Sequence, residues 1–311
     1  MKKEVIFTLK PLYRGDMNIY GYRFGKGNPS ACIVGAIRGN EVQQLYICSQ
    51  LIKELQLLEQ RGAITSNNEI MVVPSVNHFS MNIGKRFWCL DNTDVNRMFP
   101  GYNEGETTQR IAAGLFEKVQ NYNYGIQFAS FYIPGDFVPH VRMMETGYQN
   151  PSLANLFGLP YVVIRKPSPF DTTTLNYNWQ VWGASAFSVY TNKTDEIDEE
   201  SARQAVSSVL RFLTRMGIIR YNCHGGYIAN VVNEEELLNV KANVAGIFRR
   251  HKNPGEEVRH GDLLAEIIHP LEGDTISQII SPTDGVVFFA AKSPLVMENA
   301  SIFKIIRRLH S

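Results

Sequence analysis

The stretch ACIVGAI-RGN-EVQQLYICSQLIKELQLL, residues 31–58, decides the fold. Its first seven residues, Ala31 to Ile37, form an apolar run that is typical of a buried β-strand. The short loop Arg38-Gly39-Asn40 follows, and from Glu41 apolar residues recur every three or four positions until Gly62. That spacing predicts an amphipathic α-helix. A strand, a loop and a helix in this order indicate an α/β sheet with a ligand site among its loops.

Strand and helix patterns continue to alternate along the first two thirds of the chain. Apolar and β-branched runs predict strands over residues 69–76, 124–131, 161–164 and 186–190. Helical spacing predicts helices over residues 107–119 and from Asp198, the expected N-cap, to Gly217. Beyond Gly217 short alternating strands follow, without a long helical period. We therefore expect an α/β domain over residues 1–218 and an all-β domain over residues 219–311.

Composition restricts the class of protein. The 311 residues are 44% hydrophobic, and 31 Lys and Arg against 30 Asp and Glu give a net charge of +1. This balance gives no bulk electrostatic basis for binding nucleic acid or an anionic membrane, and no apolar run is long enough to span a bilayer. The chain begins with Lys2 and Lys3 but lacks the apolar segment of a secretory signal, and its four cysteines are widely spaced. We expect a cytoplasmic protein without nucleic-acid or membrane partners; a homo-oligomer stays open.

The most specific motif is DVNRMFPG, from Asp94 to Gly101, with Asn77 and Arg86 upstream of it. With these residues the chain resembles the succinylglutamate desuccinylase/aspartoacylase family, relatives of the zinc carboxypeptidases. The resemblance implies a carboxypeptidase-like mixed sheet flanked by helices, followed by a barrel-sandwich domain of the biotinyl/lipoyl type. Residues 269–278, at the expected hairpin tip, contain no lysine, so we do not expect an attached cofactor.

The resemblance also implies a zinc ion held by H-x-x-E and a later D-L-H, with a separate glutamate as general base. At these positions the chain has Arg38 for the first histidine, Gln127 for the second, Gly125 for the aspartate and Tyr190 for the base, and only Glu41 remains. A guanidinium has no lone pair to offer a metal. We therefore expect a degraded zinc site, no cofactor, and an Arg38–Glu41 ion pair at the former metal position, as in a pseudoenzyme.

The chain retains the family's substrate-binding residues more fully than its metal ligands. By resemblance, Arg86, Asn96 and Arg97 bind a carboxylate and polarise an acyl carbonyl, and Arg38 adds a third guanidinium for a small anionic ligand. Tyr190 could donate a hydrogen bond to a ligand carbonyl. The candidate substrate-binding residues are Arg38, Arg86, Asn96, Arg97 and Gln127, and the candidate catalytic residues are Glu41, Arg86 and Tyr190.

Three functional hypotheses follow. The first is a protein that binds a small ligand resembling an N-acyl amino acid. The second is a hydrolase of an amide or ester bond, which would use zinc in a rearranged site of Glu41, His140 and His224. The third is a structural assembly protein in which the arginines are incidental. A cysteine nucleophile is disfavoured, because no third group to orient it can be identified.

Overall fold

The computed structural model describes residues 1–10 and 15–308 of the chain. This part forms a mixed α/β structure, in agreement with the predicted fold class at that level. Its helices are α1 (Val42–Gln60), α2 (His78–Met81), α3 (Thr107–Val119), α4 (Pro151–Asn155), α5 (Leu175–Val181) and α6 (Glu199–Arg215), with 3-10 helices at Val95–Arg97, Pro169–Asp171 and Glu234–Glu236. Its strands are β1 (Lys2–Leu9), β2 (Met17–Gly25), β3 (Gly27–Ala36), β4 (Asn67–Ser75), β5 (Tyr124–Ala129), β6 (Gly135–Phe137), β7 (His140–Met144), β8 (Tyr161–Arg165), β9 (Ser185–Tyr190), β10 (Asn230–Asn233), β11 (Leu238–Lys241), β12 (Gly246–Arg250), β13 (Glu257–Val258), β14 (Leu263–Ile268), β15 (Thr275–Ile280), β16 (Gly285–Ala291), β17 (Leu295–Val296) and β18 (Ser301–Arg307).

The largest sheet has nine strands in the order β1-β2-β4-β3-β5-β9-β7-β8-β10. Strands β4, β3, β5 and β9 run parallel to one another, whereas β7 is antiparallel to β9. The carboxyl ends of β3, β5 and β9 therefore meet at one edge of the sheet, where the connecting loops form a site.

Strand β3 shows how the sheet is covered on both faces. Ala31 and Ile33 belong to an apolar cluster that also contains the buried residues of α1 and α6. Cys32 and Val34 point the other way, into a cluster with residues of α3 and α5. Because side chains alternate along a strand, a continuous apolar run is needed when both faces are buried. The quoted apolar run of residues 31–37 is thus explained.

The sequence-predicted elements of the first two thirds are confirmed to within a few residues. The helix predicted over 107–119 has those bounds, and the Asp198 side chain caps α6 by accepting from the backbone N–H of Glu200 and Ser201. The hairpin of β1 and β2 and the short strands β6 and β7 were not predicted. Their patterns are short or interrupted by polar residues, and pairing with neighbouring strands creates them.

The rest of the chain forms two smaller sheets. One has the order β11-β18-β16-β13, with β6 also paired to β16, and the other the order β15-β14-β12-β17. Strand β10 follows residue 218 but belongs to the nine-stranded sheet. Strand β6 precedes residue 218 but joins the smaller sheet that contains β16. Three expectations stay predictions: the domain limits 1–218 and 219–311, the carboxypeptidase-like arrangement of the first domain, and the barrel-sandwich fold of the second. Among the described residues, no helix combines the length and apolar character needed to cross a membrane.

Candidate functional site

A partly open cavity lies where β3, β5 and β9 end. Of the sequence-predicted site residues, five line it: Arg38, Asn96, Arg97, Gln127 and Tyr190. Further polar side chains of the wall are Ser130, Arg142, Arg165, Asp171, Thr174, Asn176 and Ser188. The expected site is therefore brought together in part, and it includes residues that the sequence analysis did not select.

Arg38 is held between two carboxylates. Its Nη1 lies 3.2 Å from Glu41 Oε1, while its Nε and Nη2 lie 3.0 and 2.9 Å from the oxygens of Asp94. The side chain is almost fully buried. Burial opposes the charge on Arg38, but Asp94 and Glu41 outweigh it and raise the pKa of the guanidinium above its ordinary value. Arg38 is thus a fixed cation, and its contacts agree with the predicted Arg38–Glu41 pair.

Glu41 is fully buried, and both of its carboxylate oxygens accept hydrogen bonds. Oε2 accepts from the backbone N–H groups of Ile37 and Arg38 at 2.9 and 3.0 Å. Oε1 accepts from Ser130 Oγ in addition to Arg38. Gly39 lets the backbone around Lys85 approach this strand end closely, since a Cβ there would lie 2.3 Å from the Lys85 carbonyl oxygen. Glu41 is therefore committed to the strand end and is not free to coordinate a metal.

The residues present do not fit a zinc ion. The side chain in the place of the first histidine is a guanidinium, which cannot donate a lone pair, and within residues 1–10 and 15–308 no three His, Cys, Asp or Glu side chains are grouped as metal ligands. The structure does not bring the alternative ligands Glu41, His140 and His224 together into such a group. His140 is buried outside the cavity lining, with its ring stacked on Tyr190 at 4.7 Å, whereas His224 is exposed and its carbonyl accepts from Arg211 of α6.

The expected carboxylate-binding residues make contacts within the protein. Arg97 Nη1 donates to Asp171 Oδ1 at 3.1 Å and to the carbonyl of Phe170. The side-chain oxygen of Asn96 accepts from Leu175 N at 3.3 Å. These bonds tie the motif loop to the start of α5 and the segment before it, and they leave Arg97 with fewer free donors than the motif suggests.

Arg86 lies beside the cavity rather than in its lining. Its Nη2 donates to the Phe131 carbonyl oxygen at 2.9 Å, and its own carbonyl accepts from Gly39 N. Burial, followed by the positive charge of Arg38, lowers the pKa of Arg86. Its hydrogen bonds link the loop after β3 to the loop after β5.

Two wall residues that sequence reasoning missed are Arg142 and Asn176. Arg142 lies on β7 with its guanidinium carbon 4.5 Å from the centre of the Tyr190 ring. Asn176 lies in the first turn of α5 and is buried. One signal for Arg142 is its place between the apolar residues Val141 and Met143, because a charged residue inside a short buried strand needs a partner or a role.

His140 makes the stability of the protein depend on pH. Burial, and then the nearby Arg142, lower its pKa to about 3, whereas an unfolded histidine titrates near pH 6.5. Between these values the unfolded chain binds one proton more than the folded chain, so stability falls as pH falls below about 6.5. We expect His140→Phe, which keeps an aromatic ring against Tyr190, to lose about 2 kcal/mol less than the wild type between pH 8 and pH 5. Urea unfolding at both pH values measures this, and equal losses in the two proteins would contradict it.

Comparison with known proteins places the chain in a family. A family model, the succinylglutamate desuccinylase/aspartoacylase catalytic domain, matches residues 28–216. The N-alpha-acetyl-L-2,4-diaminobutyric acid deacetylase of Halomonas elongata is 25% identical over 153 residues, which are 45% of this chain and 41% of that relative. The match thus spans about two fifths of the curated relative's length.

Solved structures agree over nearly the whole chain at low sequence identity. A succinylglutamate desuccinylase/aspartoacylase from Rhodobacter sphaeroides has a TM-score of 0.79 at 20% identity, with 99% of this chain and 96% of that one covered. The product-bound ectoine utilization protein EutE from Ruegeria pomeroyi has a TM-score of 0.78 at 19% identity, with 94% and 89% covered. These likenesses concern the fold. Because the family model spans more than half of its length, this chain belongs to the succinylglutamate desuccinylase/aspartoacylase family.

Proposed function

We propose that this chain binds a small carboxylate-bearing ligand of the N-acyl amino acid type in the cavity, without a zinc ion. The observation that carries the proposal is the bonding of Arg38 to Glu41 and Asp94. It supports a site in which a permanent cation has replaced the metal. The four arginines of the wall, Arg38, Arg97, Arg142 and Arg165, suit an anionic ligand.

The ligand class draws on the relatives. The curated relative is named as a deacetylase of an N-acetylated amino acid, which supports an acylated amino acid as the ligand type. Binding here would use hydrogen bonds and charge alone: the arginines attract the carboxylate, and the buried amides of Gln127 and Asn176 offer polar contacts to an acyl group. A cytoplasmic location and the absence of nucleic-acid or membrane partners stay predictions of the composition.

Ligand-induced stabilisation tests the proposal. Protein purified without chelator or added zinc is expected to contain no stoichiometric transition metal by elemental analysis. A panel of N-acetyl amino acids is expected to raise its thermal midpoint, because a ligand at about 100 times its Kd adds about 2.7 kcal/mol of stability. The corresponding free amino acids serve as controls.

The other outcomes separate the competing functions. Stoichiometric zinc together with release of acetate from the panel would replace the proposal by the hydrolase. If the protein holds no metal and no N-acetyl amino acid stabilises it, the proposed ligand class is excluded and a structural role is favoured.

A further inference from the structure

Three buried side chains of the cavity wall have polar atoms without a hydrogen-bond partner among the described residues. They are Arg142 at Nε and Nη2, Asn176 at both of its amide atoms, and Gln127 at Nε2. All three side chains are at most 3% exposed. Because buried polar groups in folded proteins are nearly always hydrogen-bonded, such a cluster in one cavity is free to pair with a ligand that displaces water.

The unpaired atoms of Arg142 have the geometry that carboxylate recognition requires. Nε and Nη2 lie along one edge of the guanidinium and can donate two parallel hydrogen bonds to the two oxygens of a carboxylate. The Tyr190 ring lies 4.5 Å from the guanidinium carbon, and Nη1 on the opposite side lies 4.0 Å from Glu234 Oε2. These contacts hold the guanidinium in place before a ligand arrives, which lowers the entropic cost of binding.

Charge distinguishes the two ends of the site. At the end where the family resemblance places the metal, the two cations Arg38 and Arg86 lie beside two carboxylates, Glu41 and Asp94. Around Arg142, four cations share two carboxylates. Glu234 lies within 4.0 Å of nitrogen atoms from Arg142, Arg165 and Lys304, and Asp171 lies within 3.1 Å of those from Arg97 and Arg165. The described residues thus leave an excess of positive charge at the Arg142 end.

We propose that Arg142 is the carboxylate anchor of this cavity, and that Asn176 pairs with the amide group of the same ligand. This inference rests on the proposed function and deepens it. Both amide atoms of Asn176 are free, and the donor Nδ2 and the acceptor Oδ1 match the C=O and N–H of a secondary amide. Gln127 Nε2 is a further donor for the acyl oxygen. Arg97, by contrast, is a positioning residue that spends its contacts on Asp171 and Phe170.

Titration calorimetry with N-acetyl-L-alanine tests the assignment, with N-acetyl-L-alaninamide as the probe that lacks the carboxylate. We expect Arg142→Met to weaken binding of the acid by about 10- to 100-fold. Arg142→Lys, which keeps the charge beside Glu234 but loses the two-nitrogen edge, is expected to weaken it by about 10-fold. Asn176→Ala is expected to weaken the acid and the alaninamide by the same factor, since both carry the amide. Arg249→Met, at an exposed arginine, is the matched control for a lost charge.

The outcomes distinguish this inference from the proposed function. If the wild type binds N-acetyl-L-alanine but Arg97→Met weakens binding more than either Arg142 variant, the proposed function stands and the Arg142 assignment is overturned. Equal binding of the acid and the alaninamide by the wild type would also overturn it. If the wild type binds neither, and none of the N-acetyl panel, the proposed function is wrong and the inference falls with it. The thermal midpoint of each variant shows that a lost signal does not come from unfolding.

Discussion

Replacing Arg38 by leucine is expected to lower the free energy of unfolding by about 3–5 kcal/mol, because it leaves buried charge without its partner. Glu41 is fully buried and Asp94 largely so, and both face the Arg38 guanidinium. Their repulsion and their desolvation are then no longer offset. Urea unfolding of Arg38→Leu at pH 7 measures the loss, and Arg249→Leu at an exposed position should leave the stability nearly unchanged.

A double-mutant cycle shows whether the loss comes from charge. Adding Asp94→Asn to Arg38→Leu removes one of the two carboxylates left without a partner. The double variant should therefore lose less unfolding free energy than the sum of the two single variants. Additive losses would mean that Arg38 acts by packing alone, and the view of Arg38 as a replacement for the metal would lose its energetic basis.

The second large effect tests the proposed replacement of the metal by Arg38. We expect the triple variant Arg38→His, Gln127→His and Tyr190→Glu to take up zinc stoichiometrically, whereas the wild type takes up none. Arg38 and Gln127 both line the cavity. Removing the guanidinium takes one hydrogen bond from Glu41 Oε1, which keeps Ser130 as a donor and gains room to coordinate a metal. Asp94, which now accepts from Arg38, would accept from an imidazole introduced at position 38 and orient it for the metal.

Elemental analysis after dialysis against zinc and then against buffer checks this result. Arg38→His alone supplies too few ligands and is the matched negative control. The double variant Arg38→His with Gln127→His shows whether zinc binding needs the glutamate that Tyr190→Glu introduces. A folded triple variant without zinc would show that the positional mapping is wrong. The aspartate of D-L-H is not restored, because a Cβ on Gly125 would lie 2.5 Å from the Trp179 ring.

Local pattern was enough to predict much of the fold and one part of the site. The helix α1 follows from its apolar spacing, and the Arg38–Glu41 pair follows from a separation of three residues at a strand end. Asp94 begins the motif, but the sequence does not predict its partner, because the separation of 56 residues between it and Arg38 is bridged only by the tertiary structure.

The remaining site residues depend on packing that sequence reasoning did not reach. Arg142 lies on β7, a strand of five residues beside Pro139, and it comes to the cavity because β7 pairs antiparallel with β9. Asn176 comes to it through α5, a helix of only seven residues. The sequence predicts His140, which follows the Gln127 strand along the chain, as a residue of the cleft. In the structure His140 packs against Tyr190, and Arg142 lines the cavity instead.

The pairing of β6 with β16 has a consequence for anyone who divides this protein. Gly135 to Phe137 are hydrogen-bonded to a strand more than 140 residues further along the chain, and Asp136 there forms ion pairs with Lys193 and Arg250. A truncation after residue 218 would remove the strand that pairs with this segment. It would also remove Phe289 and so expose the Phe137 ring that packs against it. The segment leads directly into β7, so the same cut would loosen the support of Arg142. Residues on both sides of position 218 therefore share contacts at β6, and a divided chain would lose those contacts.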